Sequence, residues 1–391
     1  MELSSFKRRA VNQVMEENDL DLLIASLPSN VYYLSGYQSV GHGMLYRILV
    51  FALYRKGGEE IALIIPTAEI PTAKEQVDNP ILYPYGNFSF AFTDSSQEEN
   101  FKAGIQEISS SPAEALDKGV KDLISTGRVG FDENRVPPGI WEKIRSNSSI
   151  EVVPAGDMLG RAKMVKHPQE IASLERAAEI AEEGIHFLLE NLLPGMNEQE
   201  MASLYIKKVT ELEAQPFFNV ITVDSRSPFV DTINTSNETK KGSIIRIDAG
   251  CIYNNYKSDI ARTAVIGNPP SRVSEYYEAI LQGEEAAMDK MGPGVTAAEI
   301  FSEAVQGVRK GIPHFDRHHC GHGIGLEVYD PPLIAPDEKQ KLKPGMVFCI
   351  ETPYYELGWG GIQVEDPVVV TETGRRILTK RSRELIVVEP R

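Results

Sequence analysis

Four carboxylates stand inside or at the ends of runs that read as buried strands: Asp248 in KGSIIRIDAG, Asp259 in KSDIARTAVIG, Glu351 in PGMVFCIE and Glu365 in GGIQVEDPVVV. A carboxylate carried into an apolar interior must be paired, neutralised or bound to a cation. Any fold of this chain therefore has to bring these strands to something positive. Residues 243–249 and 258–266 read as strands joined by a hairpin through Tyr253, Asn254 and Asn255. Asp248 ends the first run and Asp259 opens the second, 11 residues later, so antiparallel pairing can converge both on one cation. Taken alone, each is equally a turn-capping aspartate at a strand end; the complete set is what argues for more.

Between the two pairs lies HHCGHGIGLEVYDPP, residues 318–332, with His322 in a glycine-flanked loop. One imidazole among carboxylates suits Mn²⁺, Fe²⁺, Co²⁺ or Zn²⁺ better than a soft, thiolate-selecting ion. Four carboxylates exceed the needs of one tetrahedral zinc. They match two divalent ions that share bridging carboxylates and a bridging hydroxide.

The remainder of the chain places this set in a second domain. A length of 391 residues exceeds what one core usually holds, so two domains are expected. Up to about residue 155, short apolar runs such as DLLIAS, LVFALYR, EIALIIPT and GRVGFD alternate with helix-like stretches, the rhythm of an α/β domain. Its single histidine, His42, is at most a contributor to a catalytic centre. Lys166-His167-Pro168 marks the entry to a long helix. His167 and His186 lack partners at metal spacing and read as structural. A helix followed by PGMNEQE is echoed 99 residues later by one followed by PGVTAAE, which suggests two similar halves facing one another.

Composition removes several classes. A net charge of −16 repels nucleic-acid phosphates. No run approaches the roughly 20 apolar residues of a membrane span. Three cysteines without CxxC spacing argue against a disulfide framework or zinc ribbon and fit a reducing, cytoplasmic setting with no leader segment.

In their order and spacing, IDAG with SDIARTAVIG, GHGIGLEV, PGMVFCIE and GGIQVEDPVVV resemble the catalytic domain of the M24 metallopeptidases. This is the pita-bread fold of methionine aminopeptidase, aminopeptidase P and prolidase, with creatinase as a relative. The N-terminal part, including LIASLPSNVYYLSGY, resembles the smaller domain added in the prolidase, aminopeptidase P and creatinase branch. The resemblance implies an α+β chain: a creatinase-like α/β domain over residues 1–157, then a pita-bread domain with pseudo-twofold halves over 158–391. It implies that Asp248 binds one metal and Asp259 bridges both. His322 and Glu351 complete the side served by Asp259, and Glu365 bridges back towards Asp248. A water held between the ions would attack the scissile carbonyl, with Glu351 taking its proton. The implied activity is an Xaa-Pro dipeptidase or aminopeptidase acting on small peptides. Two divalent ions are implied, with Mn²⁺ favoured over Co²⁺, Zn²⁺ or Fe²⁺, in a homodimer.

Several positions depart from the family pattern. Tyr329 stands seven residues after His322, and Asp231 stands 17 before Asp248, both where a histidine is usual. A tyrosine still donates through its hydroxyl, whereas an ionised aspartate only accepts and attracts a cation. Asp231 then meets a substrate amine, pairs with Arg226 or another base, or is a solvated loop residue. Gln363 replaces an arginine frequent in GGxRxED, removing a guanidinium that would hold a carboxylate. His318 falls where relatives have a histidine and is a candidate to orient the loop or touch substrate; His319 reads as structural. Tyr329, Tyr354, Tyr355 and Trp359 either wall a pocket or pack in the core. The two lost histidines keep open a nonpeptide hydrolase or lyase on the same fold. The intact ligand set argues against a noncatalytic protein.

Overall fold

A computed structural model describes residues 2–389. The chain divides into two compact units between Lys163 and Met164, later than the expected junction at 157. The reason is local. Gly156–Lys163 forms a helix that packs on the helix Leu3–Glu17, so it belongs to the first unit.

The N-terminal unit is built on six strands: β1 Leu22–Ala25, β2 Phe51–Arg55, β3 Ala62–Pro66, β4 Ile81–Tyr85, β5 Gly127–Phe131 and β6 Ile150–Pro154. They form one sheet in the order β4-β3-β2-β1-β5-β6. The apolar segment after β1 is a helix, Pro28–Ser35, with proline at its start and Gly36 in the left-handed region (φ 78°) at its end. Asp132 fixes that switch. Its buried Oδ2 accepts from the Ser26 and Leu27 amides at 3.0 and 2.8 Å and from Asn30 Nδ2 at 2.8 Å. His42 is also buried, with ring nitrogens 2.9 and 2.7 Å from the carbonyl oxygens of Ile48 and Ser26. It fastens a loop.

The second unit carries β7 Gln215–Val223, β8 Ile244–Tyr253, β9 Tyr256–Lys257, β10 Ile260–Ile266, β11 Gly321–Gly323, β12 Asp330–Leu333, β13 Val347–Glu351, β14 Tyr354–Glu356, β15 Gly360–Ile362, β16 Glu365–Val370, β17 Arg375–Ile377 and β18 Ile386–Val388. The main sheet runs β12-β11-β13-β16-β10-β8-β7, each neighbour antiparallel. His322 lies within the short strand β11, where a loop was expected.

The internal echo corresponds to a repeated helix pair. Pro168–Glu190 is followed by Glu198–Glu211, and Ser271–Lys290 by Ala297–Arg309. The second helix of each pair opens with a reciprocal capping box, Asn197 with Glu200 and Thr296 with Glu299, at matching positions. Close packing repeats too: a Cβ on Gly184 would lie 2.7 Å from the Tyr205 ring, and one on Gly283 2.2 Å from Val308. His167 caps Pro168–Glu190 as expected. His186, expected to lack a partner, lies 3.1 Å from Glu190.

Candidate metal centre

Register assembles the site. Asp248 on β8 is opposite Ala261 on β10; Ala261 is opposite Glu365 on β16, and Glu365 is opposite Glu351 on β13. Residues directly opposite in antiparallel pairs share a face, and so do residues two apart along a strand. Asp259, two residues before Ala261, therefore joins the row, as does His322, which is opposite Cys349 and thus two positions from Glu351. Ala261 sits between Asp248 and Glu365 and presents only a methyl group, which leaves space among the carboxylates.

The distances follow. His322 Nε2 lies 3.7 Å from Asp259 Oδ2 and 3.6 Å from Glu365 Oε1. Ligand atoms of Asp259, His322 and Glu365 all fall within 4.8 Å of one another. His322 Nδ1 lies 3.2 Å from the Gly323 carbonyl oxygen. That bond makes Nδ1 the donor and leaves Nε2 facing the carboxylates. Gln363 Nε2 donates to Glu365 Oε2 at 3.0 Å and Glu351 Oε2 at 3.4 Å. Asp248 Oδ2 accepts from Arg246 Nη1 at 3.1 Å.

Four carboxyl groups this deep and close oppose one another's ionisation. Asp259 and Glu365 are held well above the ordinary carboxylate range, by burial first and then by neighbouring charges. Asp248 is raised by burial, against the opposing pull of Arg246. Glu351 is pushed up to about 8 by burial and then by Glu365. Asp259 Oδ1 and Glu365 Oε1 are buried without a hydrogen-bond partner among the described residues. Unpartnered carboxylate oxygens beside an imidazole nitrogen suit divalent cations that take oxygen and nitrogen donors, so this residue set fits the metal ions expected of it.

The surrounding residues only partly match expectation. Tyr329 stacks on His322 with ring centroids 3.9 Å apart and stays 57% exposed, so a ring at this position covers the imidazole while facing outward. His318 is exposed. Its neighbour His319, expected to be structural, is the one turned towards the carboxylates: Nδ1 lies 3.5 Å from Glu351 Oε1 and accepts from the Gly321 amide at 3.3 Å. Burial, then Arg317 and the adjacent histidines, push His319 down to about 3. Asp231 is exposed, and its pairing with Arg226 does not occur. Arg226 Nε instead donates to both Glu198 oxygens at 3.1 Å, and Nη2 donates to the Ile233 carbonyl at 2.8 Å.

Tyr354 and Trp359 pack with Tyr276, while Tyr355 belongs to the site. Its hydroxyl donates to Gln363 Oε1 at 3.0 Å, and its ring faces Arg246 and Arg317 at 5.4 and 5.7 Å. Sequence reasoning missed both arginines. Arg246 left a signal, a charge inside the apolar run IIRIDAG; Arg317, in an irregular stretch, left none. Cys320 is buried with its thiol pushed up to about 12, which leaves it protonated and unsuited to nucleophilic attack.

Comparison with known proteins agrees with this architecture. Residues 7–165 match the creatinase/prolidase N-terminal domain and residues 172–372 match metallopeptidase family M24. An Xaa-Pro dipeptidase of Pyrococcus furiosus is 30% identical over 376 residues, covering 95% of this chain and 97% of the relative. The crystal structure of an X-Pro aminopeptidase from Thermotoga maritima aligns with a TM-score of 0.80 at 26% identity, covering 97% of this chain and 99% of the other. That of the prolidase from Pyrococcus horikoshii OT3 gives 0.80 at 28% identity with the same coverage. These peptidase relatives do not favour the nonpeptide alternative. On the matched domains and the site carried by the second of them, the chain belongs to metallopeptidase family M24 and is a metal-dependent hydrolase of the pita-bread fold.

Proposed function

We propose that this chain is a two-metal peptidase that cleaves Xaa-Pro dipeptides or removes a residue ahead of proline. The observation that carries the two-metal reading is the single-face row of Asp248, Glu365 and Glu351 with Asp259 and His322 alongside, two of its carboxylate oxygens without a hydrogen-bond partner among the described residues. The names of the relatives support the substrate class. Two divalent cations, when bound, would supply an acidified water and polarise the scissile carbonyl.

The chain's own residues would do the rest. Asp248, Asp259, His322, Glu351 and Glu365 would hold the two ions. Glu351 accepts the water's proton, steadied by Gln363 at Oε2 and Arg317 at Oε1. Tyr329, anchored by stacking on His322, offers a hydroxyl donor to the developing oxyanion. His318, exposed beside this group, is assigned to substrate contact, and Asp231 to the substrate amine. Manganese as the favoured ion and a homodimeric assembly belong to the same reading. Three free, buried thiols support a reducing, cytoplasmic compartment. Among the described residues no helix is long and apolar enough to cross a membrane.

The test is metal analysis of purified protein together with hydrolysis of Xaa-Pro and ordinary dipeptides by wild type and Glu351→Gln. Close to two ions per chain and loss of turnover in E351Q are expected. Metal stoichiometry near zero that cannot be reconstituted, or metal-loaded protein inert towards every dipeptide, removes the proposal.

A further inference from the structure

Two guanidiniums touch the carboxylate cluster, and they differ in how many donors remain unused. Arg246 is fully buried: Nε donates to the Ser227 carbonyl, Nη1 to Asp248 and Gln363, and Nη2 to the carbonyls of Phe229 and Val230. Every arm of its fork is occupied. Arg317 makes only long contacts, Nε to the His319 carbonyl and Nη2 to Glu351 Oε1, both at 3.4 Å. Its Nη1 has no hydrogen-bond partner among the described residues, and its side chain is 14% exposed. The Tyr355 ring 5.7 Å from its Cζ restrains it.

We propose that Arg317 recognises the free α-carboxylate of the substrate and so makes the enzyme select dipeptides over longer chains. The inference rests on the peptidase reading. In a dipeptide the carboxylate is only an α-carbon away from the scissile nitrogen. A scissile carbonyl placed against Glu351 therefore brings that negative charge into an already anionic site. A guanidinium beside Glu351 with an open N–H edge meets it with a planar, charge-assisted fork. A longer peptide places a neutral amide there and gains none of this.

The test compares an Xaa-Pro dipeptide with its C-terminal amide in wild type, Arg317→Gln and Arg317→Lys, with metal content measured for each. Wild type should prefer the acid. R317Q should lower turnover of both compounds through the lost contact to Glu351 and, beyond that shared loss, raise KM for the acid alone by about tenfold or more, erasing the preference; R317K should restore part of it. The acid-to-amide ratio is internal to each variant, so lost metal or partial unfolding lowers both rates and leaves the ratio in place. An active wild type without the preference, or equal losses on both compounds in R317Q, overturns the inference alone. A metal-loaded wild type inactive on both overturns the peptidase reading and this inference with it.

Discussion

Stripping the metal ions from the catalytic unit should turn its stability into a decreasing function of pH. In the metal-free fold Glu351 is held up to about 8 against an ordinary 4.5, by burial and then by Glu365. Below pH 4.5 the group is protonated whether the chain is folded or unfolded, and it costs nothing. Between 4.5 and 8 the unfolded chain releases its proton while the folded one keeps it, so unfolding becomes progressively easier. Above 8 the cost is complete. At about 1.4 kcal/mol per pH unit across that window, Glu351 alone accounts for about 4–5 kcal/mol, an upper figure because water entering the open fold softens it. Asp259, Glu365 and Asp248 are raised too and act in the same direction. The assay is urea unfolding of chelator-treated protein from pH 5 to 8.5. It is read by Trp359 in a Trp141→Phe background, because the chain's two tryptophans lie in different units. Metal-loaded protein should show the opposite slope, since cations bind the deprotonated ligands. A metal-free midpoint that is flat across this range, or that rises with pH, refutes the electrostatic account of the cluster.

Glu365→Gln should abolish tight metal uptake and yet stabilise the metal-free protein at pH 8, because it removes one of the crowded charges; the same urea series with and without chelator reads both effects. On the opposite face of the same strands, Arg262 donates to Asp366 at 2.6 and 3.1 Å with both partners buried. Asp366→Asn should therefore cost about 3 kcal/mol or more by leaving a guanidinium buried with half its partner, and an apolar double replacement should recover much of that. Asp231→Asn should retain metal while weakening peptides with a free amino terminus relative to acylated ones; unchanged metal content and an unchanged substrate profile would end its assignment to the amine.

The carboxylates were legible because a buried charge breaks the apolar rule of a strand, and such a breach needs a cause. The helix entry at Pro168 and the repeated Pro-Gly turns were legible because capping chemistry is local. What stayed hidden depends on the path of the chain in space. Arg226 is close to Asp231 in sequence but is claimed by Glu198, which arrives from a separate helix. Which of His318 and His319 turns towards Glu351 is decided by an irregular segment with no periodicity to read. Arg246 could have been found by the same reasoning as the acids, since a cation in IIRIDAG is as anomalous as an anion. The apolar segment after β1 was helical because Pro28 and the Asp132 anchor set its geometry, and neither effect shows in hydrophobicity alone.

The row from Asp248 through Ala261 and Glu365 to Glu351 has a consequence for how such a chain can vary over time. A residue inserted into β8, β10, β13 or β16 shifts everything beyond it to the other face of the sheet. Such an insertion would erase one ligand while leaving the helix pairs, most of the sheet and the neighbouring unit able to form. The turn at Asn254 and Asn255, between β8 and β9, carries no ligand and can change length without that penalty. Among descendants of this sequence, length changes should accumulate in the connections and be purged from those four strands. A single strand insertion then becomes a one-step route from enzyme to inert paralogue, with the fold surviving the loss.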